Sequence, residues 1–429
     1  MANDFDGATR RTALALLLLA GAGPAFAQAP AAKSVVDTYA EIGGATYGDA
    51  LSTARDLAKA VDALLADPGA KTLAAARDAW IRARVPYQQS EAFRFGNPIV
   101  DAWEGKVGAW PLDEGLIDYV DTARYGESSD ENPLFRANVI ANPTIRIGRQ
   151  QVDATRIDKA LLRRLHEAQG IEANVATGYH AVEFLLWGQD LKGIEKGAGD
   201  RPATDYSVSA CTGGNCGRRR DYLRAVTDLL VDDMAEMAAN WAAGGKARLE
   251  LAKRGDAGGL ATILTGIGSL SYGELAGERM KLGLMLHDPE EEMDCFSDNT
   301  HNALWYDQVG IVNVYRGRYV RPDGSVVEGP GFAAYAAARA PQEAAAVEAA
   351  MKTASDRLAA IKARADSGEE FYDQMLAEGN AMGNKLIQDG SDALVAQARA
   401  VEKLVAKLGL AIKLGESDSL DNPKAVKKK

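Results

Sequence analysis

Cysteine and histidine are scarce in this sequence: of 429 residues, three are Cys and four are His. Cys211, Cys216 and Cys295 are too few to build a disulfide scaffold. The histidines are His166, His180, His287 and His301, and they leave little material for a centre made mainly of imidazole. Neither H-E-x-x-H nor H-x-x-E-H occurs, which lowers the case for a helical zinc peptidase without excluding one. There is no Gly-x-Ser-x-Gly elbow and no Gly-Lys-Ser/Thr phosphate loop. Strand signals are sparse. Beyond the N-terminus no apolar run approaches the roughly 20 residues that span a bilayer, so no transmembrane anchor is expected. Basic residues are outnumbered, 49 against 60 acids, for a net charge of -11. That balance disfavours nucleic acid as a partner and suits cations.

At the N-terminus, Arg10-Arg11 precede the apolar run Ala13 to Ala22 and the small-residue pattern Ala25-Phe26-Ala27. Residues 1–27 therefore read as a cleavable signal peptide, and the paired arginines leave a twin-arginine route open. Asp4, Asp6, Arg10 and Arg11 cancel, so the mature chain keeps the full negative charge. The expected address is the periplasm.

Helical periodicity dominates the rest. Leu57, Val61, Leu64 and Leu65 repeat at helical spacing before the stop Asp67-Pro68-Gly69, and a second helix is expected from near Lys71 to Tyr87. Leu223, Val226, Leu230, Met234, Met237 and Trp241 form one stripe, and Leu394, Val401, Leu404 and Leu408 another. A small β-hairpin is expected over Gly317 to Val327, turning at Pro322-Asp323-Gly324. The polar, glycine-rich span from Lys196 to Gly217 is the candidate boundary. The expected fold class is all-α: two helical domains, each resembling a four-helix bundle, with the hairpin as an insertion. They would occupy 34–200 and 211–415, with a disordered tail over 416–429. A weak echo between Thr177–Gln189 and Asn299–Gln308 fits a duplication.

Within this frame the most pointed element is Gly178-x-His180-x-x-Glu183. Residues three apart on a helix lie roughly 60° apart around the axis and about one turn along it, so both side chains can reach one ion. Imidazole with carboxylate suits iron, zinc or manganese. A plain His–Glu hydrogen bond in a helix interface fits the same spacing. Further candidate ligands are Glu91, with Arg94 beside it, and Asp113-Glu114, where a helix-capping role is the simpler reading. Asp298 and His301, again three apart, stand in the acid-rich run His287 to His301, with Glu274 and Glu278 behind them. Cys211 and Cys216 could close a short disulfide loop or remain free thiols.

Taken together, several segments resemble the imelysin-like family, and most nearly its iron-regulated protein A branch. They are Thr-Gly-Tyr-His-Ala-Val-Glu-Phe-Leu-Leu-Trp-Gly-Gln-Asp at 177–190, Glu-Ala-Phe-Arg-Phe-Gly-Asn-Pro at 91–98 and Trp-Pro-Leu-Asp-Glu-Gly-Leu-Ile-Asp-Tyr-Val at 110–120. Cys-Thr-Gly-Gly-Asn-Cys at 211–216 and Cys-Phe-Ser-Asp-Asn-Thr-His at 295–301 complete the set. The resemblance implies two duplicated helical bundles, an envelope location, a site near Gly-x-His-x-x-Glu and a link to iron uptake. The family also takes its name from an insulin-cleaving metallopeptidase. One departure is Met293, where the resemblance leads one to expect histidine.

The leading expectation is a periplasmic protein that binds iron, with zinc the alternative ion. His180 and Glu183 are the expected ligands, Glu91 and Asp113 the completing carboxylates, and Arg94 the group that orients one of them. Affinity should fall below pH about 6.5 as His180 protonates. Other envelope iron-uptake or redox proteins are the expected partners. Two other readings stand beside it: a metallopeptidase with Glu183 as general base or ligand, and a non-catalytic envelope interaction protein whose His–Glu pair is structural.

Overall fold

The computed structural model describes residues 29–426. The expected signal peptide, 1–27, lies outside them. Helices make up most of the described chain, and the only strands among those residues form two short antiparallel pairs, so the mostly α expectation holds.

The first helix, α1 (Ala32–Ala66), buries Val35, Tyr39, Ile42, Thr46, Ala50, Ala54, Leu57, Val61 and Leu65 along one side. Asp67 ends it where Pro68 and Gly69 interrupt the periodicity, and α2 (Ala70–Ser90) returns alongside it. α2 runs beyond the expected end at Tyr87. A short α3 (Pro98–Gly108) follows, and then a loop-rich stretch leads to α4 (Gly178–Trp187). Every residue of α4 is buried, as its nearly unbroken apolar composition demands.

The long α5 (Cys216–Trp241) carries the stripe from Leu223 to Trp241, and this stripe is buried. α5 packs along α1, where Gly43 leaves room for the Trp241 ring: a Cβ at that glycine would come within 2.8 Å of it. The polar span between Lys196 and Gly217 leads directly into α5. The stripe finds its apolar partner on α1, so α5 completes the first layer instead of opening a second.

The second layer starts with α6 (Gly255–Ser269), which continues as a π-helical stretch, Leu270–Leu282, and a last turn, Gly283–Leu286. α7 (Thr300–Arg316), α8 (Pro341–Asp366) and α9 (Ala381–Leu408) complete it. α7 packs on both α2 and α8, and one continuous apolar core runs through both layers.

The expected hairpin is present as β3 (Arg318–Val320) and β4 (Val326–Glu328). An unexpected one precedes it, β1 (Thr144–Ile147) and β2 (Gln150–Asp153). The tail expectation is corrected as far as residue 426. Ser417 Oγ donates to Glu278 Oε1 at 2.6 Å, Ser419 Oγ to the Gly277 carbonyl at 2.9 Å, and Asp421 accepts from Tyr272 at 2.6 Å. These polar contacts dock a helical turn, Asp418–Asp421, onto the π-helical stretch. Cys211 and Cys216 form a disulfide at the start of α5, and Cys295 is free.

Candidate metal site

Glycine at 178 is a steric requirement. The residue adopts φ +84°, and a Cβ there would come within 2.5 Å of the Val107 carbonyl oxygen, so α4 starts hard against the end of α3. The helix is then pinned along its length. Trp80 Nε1 donates to the Tyr179 carbonyl at 2.9 Å, Arg77 donates to the Leu186 carbonyl at 3.0 Å, and Tyr206 OH donates to the Leu185 carbonyl.

One turn into α4, His180 and Glu183 meet: Nδ1 lies 3.0 Å from Glu183 Oε2. Asp294, from the segment before α7, brings Oδ1 to 3.8 Å from the same nitrogen. One ligand atom from each of the three residues falls within 4.8 Å of the others, the only such set among the described residues. All three side chains are buried.

Hydrogen bonds hold the set in place. Glu183 Oε1 accepts from Ser297 N at 3.0 Å and Ser297 Oγ at 2.7 Å. Asp294 accepts from Arg84 Nη2 at 2.5 Å and from Asn299 Nδ2 at 2.8 Å. The Arg84 guanidinium is in turn sandwiched 5.3–5.4 Å from the rings of Trp80, Tyr87 and Tyr179. Burial pushes the His180 pKa down to about 3, with Arg84 adding to the effect, so the imidazole is neutral. Burial and the neighbouring Asp294 push Glu183 well above the usual carboxylate range. A ring that resists protonation this far into acid departs from the ordinary histidine value on which the expected loss of affinity near pH 6.5 rested.

A cavity of about 340 Å³ reaches His180. Seven acids line it (Asp113, Glu114, Asp190, Asp288, Glu290, Glu291 and Glu292) against one cationic side chain, Arg124. Arg124 and Glu290 are exposed at its mouth, while Glu114, Glu292 and Met293 are buried deeper in. Burial, with Glu290 nearby, raises the Glu114 pKa to about 8. Met293, where histidine was expected, lies in this wall. Its segment is held from the other side by the buried Arg84–Asp294 pair.

The remaining candidates fall elsewhere. Glu91 is tied to Arg279 Nη2 at 2.8 Å and has no place in the His180 set. Its near neighbour Arg94 orients that separate cluster, reaching Glu104 at 3.2 Å and Glu274 at 3.8 Å. Glu278 holds Ser417. Asp113 lines the cavity, and its carboxylate accepts from Asn132 Nδ2 at 2.5 Å; it makes no side-chain cap to the turn that starts at Glu114. Asp298 and His301 are both buried, but His301 Nε2 faces Asn302 at 3.0 Å and Asp366 at 3.4 Å. Asp294 was not singled out from sequence, since nothing distinguishes it within an acidic run.

The fit to a metal can be judged on the donors. One imidazole and two carboxylates within the reach of one ion suit iron, zinc or manganese. His180 Nε2 is buried without any hydrogen-bond partner, an atom left available to a ligand.

A family model described as imelysin, Peptidase_M75, matches residues 43–401. No curated protein is similar in sequence. Among solved structures, an iron-regulated protein A precursor from Parabacteroides distasonis has a similar fold, with a TM-score of 0.61 and 17% identity. The match covers 88% of this chain and 96% of that one.

Proposed function

The chain belongs to the imelysin family, and from that premise we propose that it is an exported, periplasmic metal-binding protein that takes up iron at His180 and Glu183 in the service of iron acquisition. The observation that carries this reading is the buried convergence of ligand atoms from His180, Glu183 and Asp294 within 4.8 Å of one another. The acid-lined cavity reaching His180 supports it, because its buried acids Glu114 and Glu292 hold protons that an arriving cation can displace. Asp113, in the cavity wall, remains a candidate for a carboxylate met on the way in; Glu91 does not, being committed to Arg279. The N-terminal Arg-Arg and apolar run support export, and no helix among the described residues is long and apolar enough to cross a membrane.

Anaerobic calorimetry with ferrous iron tests the assignment. His180→Ala should lower affinity at least tenfold, and unchanged affinity would remove the residue from the site. Elemental analysis of protein purified from its own envelope should find iron; zinc in its place would reassign the native ion.

The family model's description as a peptidase favours a second reading, metal-assisted peptide hydrolysis with Glu183 as general base. Against it, Glu183 does not line the cavity that a peptide would have to enter. Insulin or casein digestion by the purified protein, lost in Glu183→Gln, would support hydrolysis. No cleavage by the metal-loaded protein would dispose of it.

A further inference from the structure

Outside the His180 set, three further carboxylates are buried without a counter-charge against them. Glu292, Asp298 and Asp373 are 3%, 4% and 2% exposed. Glu292 Oε2, Asp298 Oδ2 and both oxygens of Asp373 are buried with no hydrogen-bond partner. The Thr300 hydroxyl meets Glu292 and leaves Oε2 unmatched, and only the amides of its own turn favour the charge on Asp373. Polar atoms this deep are rarely left so, and buried charges are normally paired or bound to a metal.

The fold presses the stretches that carry these acids together. The turn Pro289–Glu291 packs on the helical turn Tyr372–Leu376. His287 Nδ1 lies 2.7 Å from the Leu376 carbonyl oxygen, and a Cβ at Gly283 would meet the Leu376 side chain and Glu291 Cβ at 3.4–3.5 Å. Asp373 is the strongest neighbouring charge on both Glu292 and Asp298, and Asp190 bears on all three. Burial, then neighbouring carboxylates, push Asp298 up to about 8, Asp373 to about 7 and Glu292 well above the usual carboxylate range. Among the described residues the cation that bears on them is Lys192, acting on Asp298. Its ammonium is turned to the Ala198 carbonyl at 2.5 Å and to Asp200 at 3.6 Å.

We propose that Glu292, Asp298 and Asp373 form a second cation site, independent of His180, for a hard divalent ion of the calcium or magnesium class that keeps part of its water shell. The donors decide the class: three carboxylates with neither imidazole nor thiolate in the set suit calcium or magnesium more than zinc or iron. Two oxygens on one calcium ion stand at most about 5 Å apart. The three acids do not offer one atom each within 4.8 Å of the others, so at least one of them reaches the ion through water. Such an ion ties the segment that carries Asp294 and Ser297 to the turn at Asp373, and stiffens the cavity wall to which Glu292 belongs.

The site does not depend on the reading of His180, and the test keeps the two apart. Full-length chain is stripped with a chelator and equilibrated at neutral pH with radioactive calcium, and its thermal midpoint is followed with Ca²⁺ and with Mg²⁺ in separate titrations. The expected result is one saturable ion with a dissociation constant of about 0.1–1 mM, the range of extracellular calcium modules, and a midpoint that rises as the ion binds. Binding should weaken at least tenfold in Asp373→Asn and in Asp298→Asn, and stay within twofold of the parent in His180→Ala. A larger response to Mg²⁺ than to Ca²⁺, with the same dependence on the variants, assigns the smaller ion to the site. No binding of either ion at about 10 mM overturns the proposal. So does affinity within twofold of the parent in both Asp variants, the mark of diffuse binding to the acidic surface, or loss of the ion in His180→Ala. Glu292→Gln replaces an Asp variant that does not fold, and the unsubstituted chain alone can refute the site.

Discussion

Two acid-rich regions of this molecule, built from the same residue types, are finished in opposite ways. Around Arg279 the carboxylates of Glu91, Glu274 and Asp307 each lie 2.8 Å from a guanidinium nitrogen, and Arg94 adds contacts to Glu104 and Glu274. The chain supplies its own cations there, and the acids are structural. Along the cavity, Glu114 and Glu292 are buried with no guanidinium against them, and the single cationic side chain in the wall, Arg124, stands at the mouth. Acid count therefore says little about a cation site. What separates the two regions is whether a positive partner is built in.

The largest expected effect breaks the paired region. Arg279→Met leaves the buried Glu91 and Asp307 and the partly buried Glu274 without their shared partner and should cost about 3–5 kcal/mol of stability, measured by urea unfolding. The unpaired region should instead respond to pH. Glu114 has a folded pKa near 8, above its unfolded value. The native state therefore holds the extra proton between those values, and stability falls as pH rises from about 4.5 towards 8, by at most about 1.4 kcal/mol per unit. Unfolding midpoints of metal-free protein at pH 5 to 8 should decline, and Glu114→Gln should flatten the decline. A parallel slope in both proteins would mean that the cavity acids are not the source. The smallest effect belongs to Arg94, whose side chain is 22% exposed. Arg94→Met should cost under about 1 kcal/mol, and a loss as large as that for Arg279 would merge the two arginines into one structural unit.

The helical stripes and the β3–β4 hairpin were legible because each depends on local periodicity or turn chemistry. The β1–β2 hairpin carries a readable signal too, the alternation Thr-Ile-Arg-Ile followed by a turn at Gly148-Arg149, but one too short to stand out against the helical background. The pairing of His180 with Glu183 followed from one helical turn. Asp294 could not be found the same way, since it reaches the site from a distant segment and stands among acids that look equivalent in sequence. Glu91 misled for the converse reason: its motif is conspicuous, but its partner Arg279 comes from another helix, and no spacing rule connects them. The layer to which α5 belongs was not legible, because a polar span marks only where chain is exposed, whereas that layer is decided by the apolar surface of α1.

One bond pair reaches beyond the site. Glu183 belongs to α4, while both of its Ser297 donors come from the segment leading into α7. That carboxylate is a clasp between the two layers. Any swing of α7 away from α4 would unfasten Oε1 and, through the other oxygen of the same carboxylate, let the His180 ring turn, so that hinge motion and the aim of that imidazole become a single mechanical variable.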